Sequence, residues 1–148
     1  MTTLRKHGIS VLPVLFLFLA LRPVAFAQSR MSDDDVGRTM RNLKEDSQRF
    51  QSTFNSAISK STVRKTSQEK EYKNLVKSFR DQAEAMLNAF QDKKKADTTL
   101  PGVLDTAKRI DAVLASVQLG GNNTADWARC KSELKVLAEA FGMPSPGN

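Results

Sequence analysis

Residues 36–54 read VGRTMRNLKEDSQRFQSTF and residues 72–90 read YKNLVKSFRDQAEAMLNAF. In the first stretch Val36, Met40, Leu43, Phe50 and Phe54, with Ser47 in the one polar slot, step alternately by four and three residues. Read backwards, the second stretch repeats the pattern: Phe90, Met86, Ala83, Phe79, Val76 and Tyr72, so that every mirrored pair of positions sums to 126. A three-four step keeps side chains on one helical face. Two such stripes reflected about a point let antiparallel helices meet layer by layer. Small residues stand opposite large ones, Leu43 to Ala83 and Ser47 to Phe79, which suits interdigitation.

A second reflection follows. Val103, Ala107, Ile110, Leu114 and Val117 mirror Phe141, Leu137, Leu134, Cys130 and Trp127 about position 122, inside Gly120-Gly121-Asn122-Asn123. Glycine and asparagine are the residues at which a helix stops and turns. The first mirror point, Val63, lies in Ser59-Lys60-Ser61-Thr62-Val63-Arg64-Lys65-Thr66-Ser67, which has neither Gly nor Pro but is dense in hydroxyls that compete for backbone hydrogen bonds. No strong breaker stands between Gly37 and Pro101, so one continuous helix in a swapped dimer is the alternative to a hairpin.

The chain therefore reads as all-α, an antiparallel four-helix bundle of coiled-coil character made of one long and one short helical hairpin. Ser32 caps the first helix and Asp33, Asp34 and Asp35 suit its positive end; it runs to about Ile58. The second runs from about Ser67 to Lys95, with Lys93, Lys94 and Lys95 at its negative end. Pro101 sits in the first turn of the third. The fourth is expected to be capped by Thr124 and to end at Phe141-Gly142. At 1.5 Å per residue the first pair is roughly 40 Å long and the second roughly 25 Å. The short hairpin therefore covers the end near Val36 and Phe90 and leaves a protruding polar tip of Ser, Thr and Lys.

The amino terminus addresses the compartment. Arg5 and Lys6 precede an apolar run over 9–21, Arg22 and Pro23 break it, and Ala25-Phe26-Ala27 offers small residues for cleavage before Gln28. The run is 13 residues long, short of the roughly 20 that span a bilayer. The expected organisation is a cleaved signal peptide over 1–27, one helical domain over 28–143 and a tail over 144–148. The product is exported, periplasmic or secreted, of bacterial character, and without a stable membrane span after cleavage.

Chemistry is sparse. The single histidine, His7, leaves with the signal, which removes haem ligation, His-based zinc sites, Ser or Cys triads and a neutral-pH general base. No catalytic, cofactor-binding or metal-binding residue and no cofactor is expected, and the chain does not read as an enzyme. Cys130 occupies a core slot of the fourth helix; it is the candidate thiol, a small buried hydrophobe or, in an oxidising compartment, half of an intermolecular disulfide.

Formal charge is +7, falling to +4 once 1–27 is removed. Residues 60–95 hold ten basic against five acidic side chains, so the surplus sits on and before the second helix. Lys70, Lys73, Lys77 and Arg80 fall on one face and form a candidate surface for anionic envelope polymers or lipid head groups. Nucleic acid is not expected, since only Tyr72 interleaves the basic stretch as a stacking group. These features fit a binding, adaptor or structural component of the cell envelope with a protein or anionic partner. Two alternatives are a chaperone-like bundle that opens a seam of Met40, Phe50, Met86 and Phe90 to clients, and an enzyme working through carboxylates or Cys130.

Overall fold

The computed structural model describes residues 31–92, 96–119 and 121–145. The expected signal peptide, the Lys93–Lys95 run and the last residues of the tail lie outside them. Among the described residues there are four α-helices, α1 (Asp33–Ile58), α2 (Ser67–Gln91), α3 (Leu100–Ser116) and α4 (Asn123–Ala140), and a short 3-10 turn at Ala96–Thr98, with no strand. This is the expected all-α bundle of a long and a short hairpin.

The ends form as their residues dictate. Ser32 Oγ accepts the Asp35 amide at 3.1 Å and donates to the Asp35 carboxylate at 2.7 Å, capping α1. At the far end of the chain Gly142 adopts φ +65°. The Met143 amide then reaches back to the Ala138 carbonyl at 2.8 Å and the Gly142 amide to Glu139 at 3.2 Å, a Schellman closure that needs a residue free to turn left-handed. Two boundaries differ from expectation. Helix α2 ends at Gln91, four residues short of Lys95. Helix α4 begins at Asn123, after Asn122 in a helical conformation with no side-chain cap, so Thr124 lies inside the first turn and its hydroxyl faces Asn123 Oδ1 at 3.4 Å.

The long hairpin keeps the predicted register. Lys44 Nζ meets Glu84 Oε1 at 2.9 Å, Ser59 meets Glu69 at 3.0 Å, and Gly37 is so close to the Phe90 ring that a Cβ there would sit 3.4 Å from it. Each pair sums to within two of 126. Val36, Met40, Leu43, Ser47, Phe50 and Phe54 are buried against Val76, Phe79, Ala83 and Met86, with Tyr72 and Phe90 partly covered at the two ends. Ser47 tolerates full burial because its hydroxyl donates to the Lys44 carbonyl at 2.7 Å. The core extends through Ile58, a turn beyond Phe54, and the α3–α4 turn reaches alongside the end of α1.

Helices α3 and α4 are arranged differently. Helix α3 packs on α2 and α4 packs on α1, while α3 and α4 approach each other only at a few points. Their mirror register survives in the Lys131 to Asp111 ion pair at 3.4 Å, whose positions sum to 242. The space between them is occupied by Trp127. Its ring lies 4.9 Å from Phe50 of α1 and 5.2 Å edge-on from Phe79 of α2, and its indole N–H donates to Asp111 of α3 at 2.7 Å. Sequence symmetry places Trp127 beside Val117, but the long side chain reaches inward and across to all three other helices. A ring of that size holds the backbones of α3 and α4 apart.

Candidate functional site

The candidate basic face of α2 is built from residues at i, i+3, i+7 and i+10, and the structure shows what each one touches. Lys73 Nζ donates to Glu69 at 2.6 Å and to Ser59 Oγ at 2.8 Å. Lys77 donates to Asp81 at 2.6 Å, and Arg80 donates to the same carboxylate through Nε at 2.9 Å and through a second guanidinium nitrogen. Both partners hold the Asp81 carboxyl below its ordinary range, Lys77 foremost. Glu84, on the same side, is taken by Lys44 of α1. Three of the four cations therefore have a carboxylate at contact distance, and only Lys70 has no ion-pair partner among the described residues.

Uncompensated positive charge lies a few residues earlier. Lys60, Arg64 and Lys65 are exposed on the Ser59–Thr66 turn and, with Lys70, have no ion-pair partner among the described residues. The only acid bonded within this turn is Glu69, which is absorbed by it. Its carboxylate accepts the Lys65 amide at 2.6 Å, the Ser59 hydroxyl at 3.0 Å and the Lys73 ammonium at 2.6 Å. The side chain is only 12% exposed, and these donors, Lys73 first, lower its pKa from 4.5 to about 2. Thr66 Oγ1 caps α2 by accepting the Glu69 amide at 3.3 Å, and Lys65 takes φ +62°. The Thr66-to-Glu69 spacing is a capping-box signature and was legible; that Glu69 would also gather Ser59 from the other helix was not.

Beside this turn a shallow cleft of about 420 Å3 opens between the end of α1 and the α3–α4 turn. It is lined by Ser52, Ser56, Lys60, Ser61, Gln118 and Asn122 among others, a polar wall with one cation. Behind it, buried Asp126 accepts the Thr53 hydroxyl at 3.0 Å, a role beyond the dipole-stabilising one its first-turn position implies.

Cys130 is fully buried in α4, as its core slot predicts. Burial first, then the nearby negative charges of Asp46 and Asp126, push its thiol well above the ordinary range, which favours the protonated form while the fold is intact. Glu133, on the same seam, is pushed up by burial and by Asp46. These acids do not assemble with other ligands; among the described residues no group of three His, Cys, Asp or Glu could hold a metal. Of the seam residues considered for client binding, Met40, Phe50 and Met86 are fully covered and Phe90 is half-covered. Val136 is the one large apolar side chain classed as exposed among the described residues. No helix among them is long and apolar enough to cross a membrane. No family model, curated protein or solved structure matches this chain.

Proposed function

We propose that this protein is an exported, cofactor-free binding component of the cell envelope that presents the tip of its long hairpin to an anionic partner. The observation that carries the reading is the distribution of compensation. Along the helical face of Lys73, Lys77 and Arg80 each cation is answered by Glu69 or Asp81, whereas Lys60, Arg64, Lys65 and Lys70 crowd the tip without an answering acid. Charges grouped at one end of the bundle produce an outward field that steers anionic surfaces to that end. The remaining chemistry supports a binding role over a catalytic one: the buried thiol is held protonated, and the partly exposed acids Asp46, Asp81 and Glu84 are engaged in ion pairs. Export rests on the basic, apolar and small-residue segments over 1–27.

Binding to vesicles containing phosphatidylglycerol, compared with neutral vesicles, tests the reading. It should weaken steeply between 0.1 M and 1 M salt, where the screening length falls from about 10 Å to about 3 Å. Changing Lys60, Arg64, Lys65 and Lys70 together to Gln should abolish binding, while changing Lys73, Lys77 and Arg80 to Gln should leave most of it. The opposite ranking would return the site to the helical face. Salt-insensitive binding, or none, would defeat the anionic reading. Fusing residues 1–30 to a reporter active only outside the cytoplasm tests export separately.

A further inference from the structure

The reflection about Val63 has two solutions in space. In the hairpin, residues whose numbers sum to 126 meet within one chain. Two chains lying antiparallel, each with α1 and α2 joined in one unbroken helix, bring the same pairs together between chains, and the layers of the core are unchanged.

The helical phase permits this second solution. Tyr72 stands 18 residues after Phe54. At 3.6 residues per turn that is five whole turns, so an unbroken helix keeps the stripes of α1 and α2 on one side with no slip between them. The connection contains no Gly or Pro to forbid helix. Its conformation in the hairpin is instead imposed by side chains. Lys65 adopts φ +62°, a left-handed conformation that non-glycine residues enter reluctantly. Its amide is held there by Glu69 at 2.6 Å, and the same carboxylate fastens Ser59 from the end of α1 and Lys73 from α2. In an unbroken helix the Lys65 amide would bond to the carbonyl of Ser61 and its bond to Glu69 would be lost, whereas Ser59 and Glu69, whose positions sum to 128, would meet again between copies.

We propose that Glu69 is a latch that selects the hairpin over a domain-swapped dimer, in which α1 of one copy packs against α2, α3 and α4 of a second copy. The contacts of Phe50 with Trp127 and of Thr53 with Asp126 then pass between copies without changing in kind. Swapping through a strained hinge is a low-cost route to dimers because it reuses existing interfaces. The exposed cations of Lys60, Arg64 and Lys65 from both copies would converge at the centre, so salt favours the dimer by screening them.

Light scattering on full-length protein, purified in the form the cell accumulates, tests the latch. Glu69→Gln should lower the dimer dissociation constant by about a hundredfold, about tenfold for the charge-assisted hydrogen bond given up in each of the two hairpins that open. A second variant, Ser61→Ala with Thr66→Ala, removes the hydroxyls that accept the Val63 and Glu69 amides in the turn and should shift the same way. Lys65→Gly, which accepts the left-handed conformation freely, should shift towards monomer. Cysteines placed at Lys44 and Glu84 and joined by a short bis-maleimide should link two chains in the dimer peak and close within one chain in the monomer peak. The latch is overturned if both turn variants stay folded by circular dichroism and monomeric at every concentration. It is overturned equally if their dimers are linked only within chains.

Discussion

The two hairpins carry the same kind of reflected pattern and use it differently. In α1 and α2 the mirrored layers meet directly, with Lys44 on Glu84 and Gly37 under Phe90. In α3 and α4 the register is kept but the helices stand apart, each seated on the long hairpin, with Trp127, Asp111 and Lys131 bridging the gap. The difference lies in what fills the layers. Ser47 and Ala83 leave room for close approach in the first hairpin, whereas in the second a single indole occupies the centre. A periodic pattern thus specifies which residues share a level; side-chain volume decides whether they touch.

The largest test of that contrast is truncation at the level where the hairpins meet. Trp127→Ala and Phe50→Ala should each cost about 3–5 kcal/mol in chemical denaturation, because both side chains are buried and face each other. The two effects should be strongly non-additive in a double mutant. Simple additivity would mean that the indole belongs to the short hairpin alone. Next in size, Leu43→Ala in the close seam should cost about 2–5 kcal/mol, while Leu114→Ala, at a half-covered position on α3, should cost clearly less. Equal losses would show the second seam to be as tight as the first.

Much of this architecture was readable before any coordinates, for identifiable reasons. The long seam follows from period and volume, and the closing turn at Gly142 from the one residue type that accepts its backbone. The wide spacing of α3 and α4 was not readable, since periodicity carries no distance and Trp127 conforms to its slot while reaching beyond it. The candidate basic face of Lys70, Lys73, Lys77 and Arg80 reads as a stripe in the sequence, but its compensation depends on Glu69 and Asp81, whose side chains bend to it from neighbouring positions. The cations left over were visible in the sequence as Lys60, Arg64 and Lys65, hidden only by their place in a turn instead of on a helix.

Smaller effects sharpen the comparison further. Cys130→Ala should cost on the order of 1 kcal/mol through lost packing. The native thiol should react slowly with maleimide and the unfolded thiol fully, as expected for a buried, protonated group. Asp111→Ala removes the acceptor of the indole N–H and should cost about 1 kcal/mol; no loss would mean the bridge between α3 and α4 is dispensable. The half-exposed Lys44 and Glu84 pair should couple by about 0.2–1 kcal/mol in a double-mutant cycle, screened by salt. Acid acts at the tip: Glu69 has a folded pKa of about 2 against an ordinary 4.5. Its contribution is therefore present above about pH 4.5 and fades as pH falls towards 2. Carboxyl NMR titration of Glu69 should show this depressed midpoint, and a titration near 4.5 would remove the acid sensitivity from the turn.

Trp127 is the only tryptophan of the chain, and it touches all three other helices. The molecule therefore carries a single indole, spectrally distinct from Tyr72, at the point where every helix meets. Detachment of α3 frees the indole N–H from its carboxylate, detachment of α1 removes Phe50 from its face, and detachment of α2 removes Phe79 from its edge. Whichever helix leaves first, the emission changes. Coincidence of that emission with the loss of helical circular dichroism on denaturation would establish that the bundle melts as one unit.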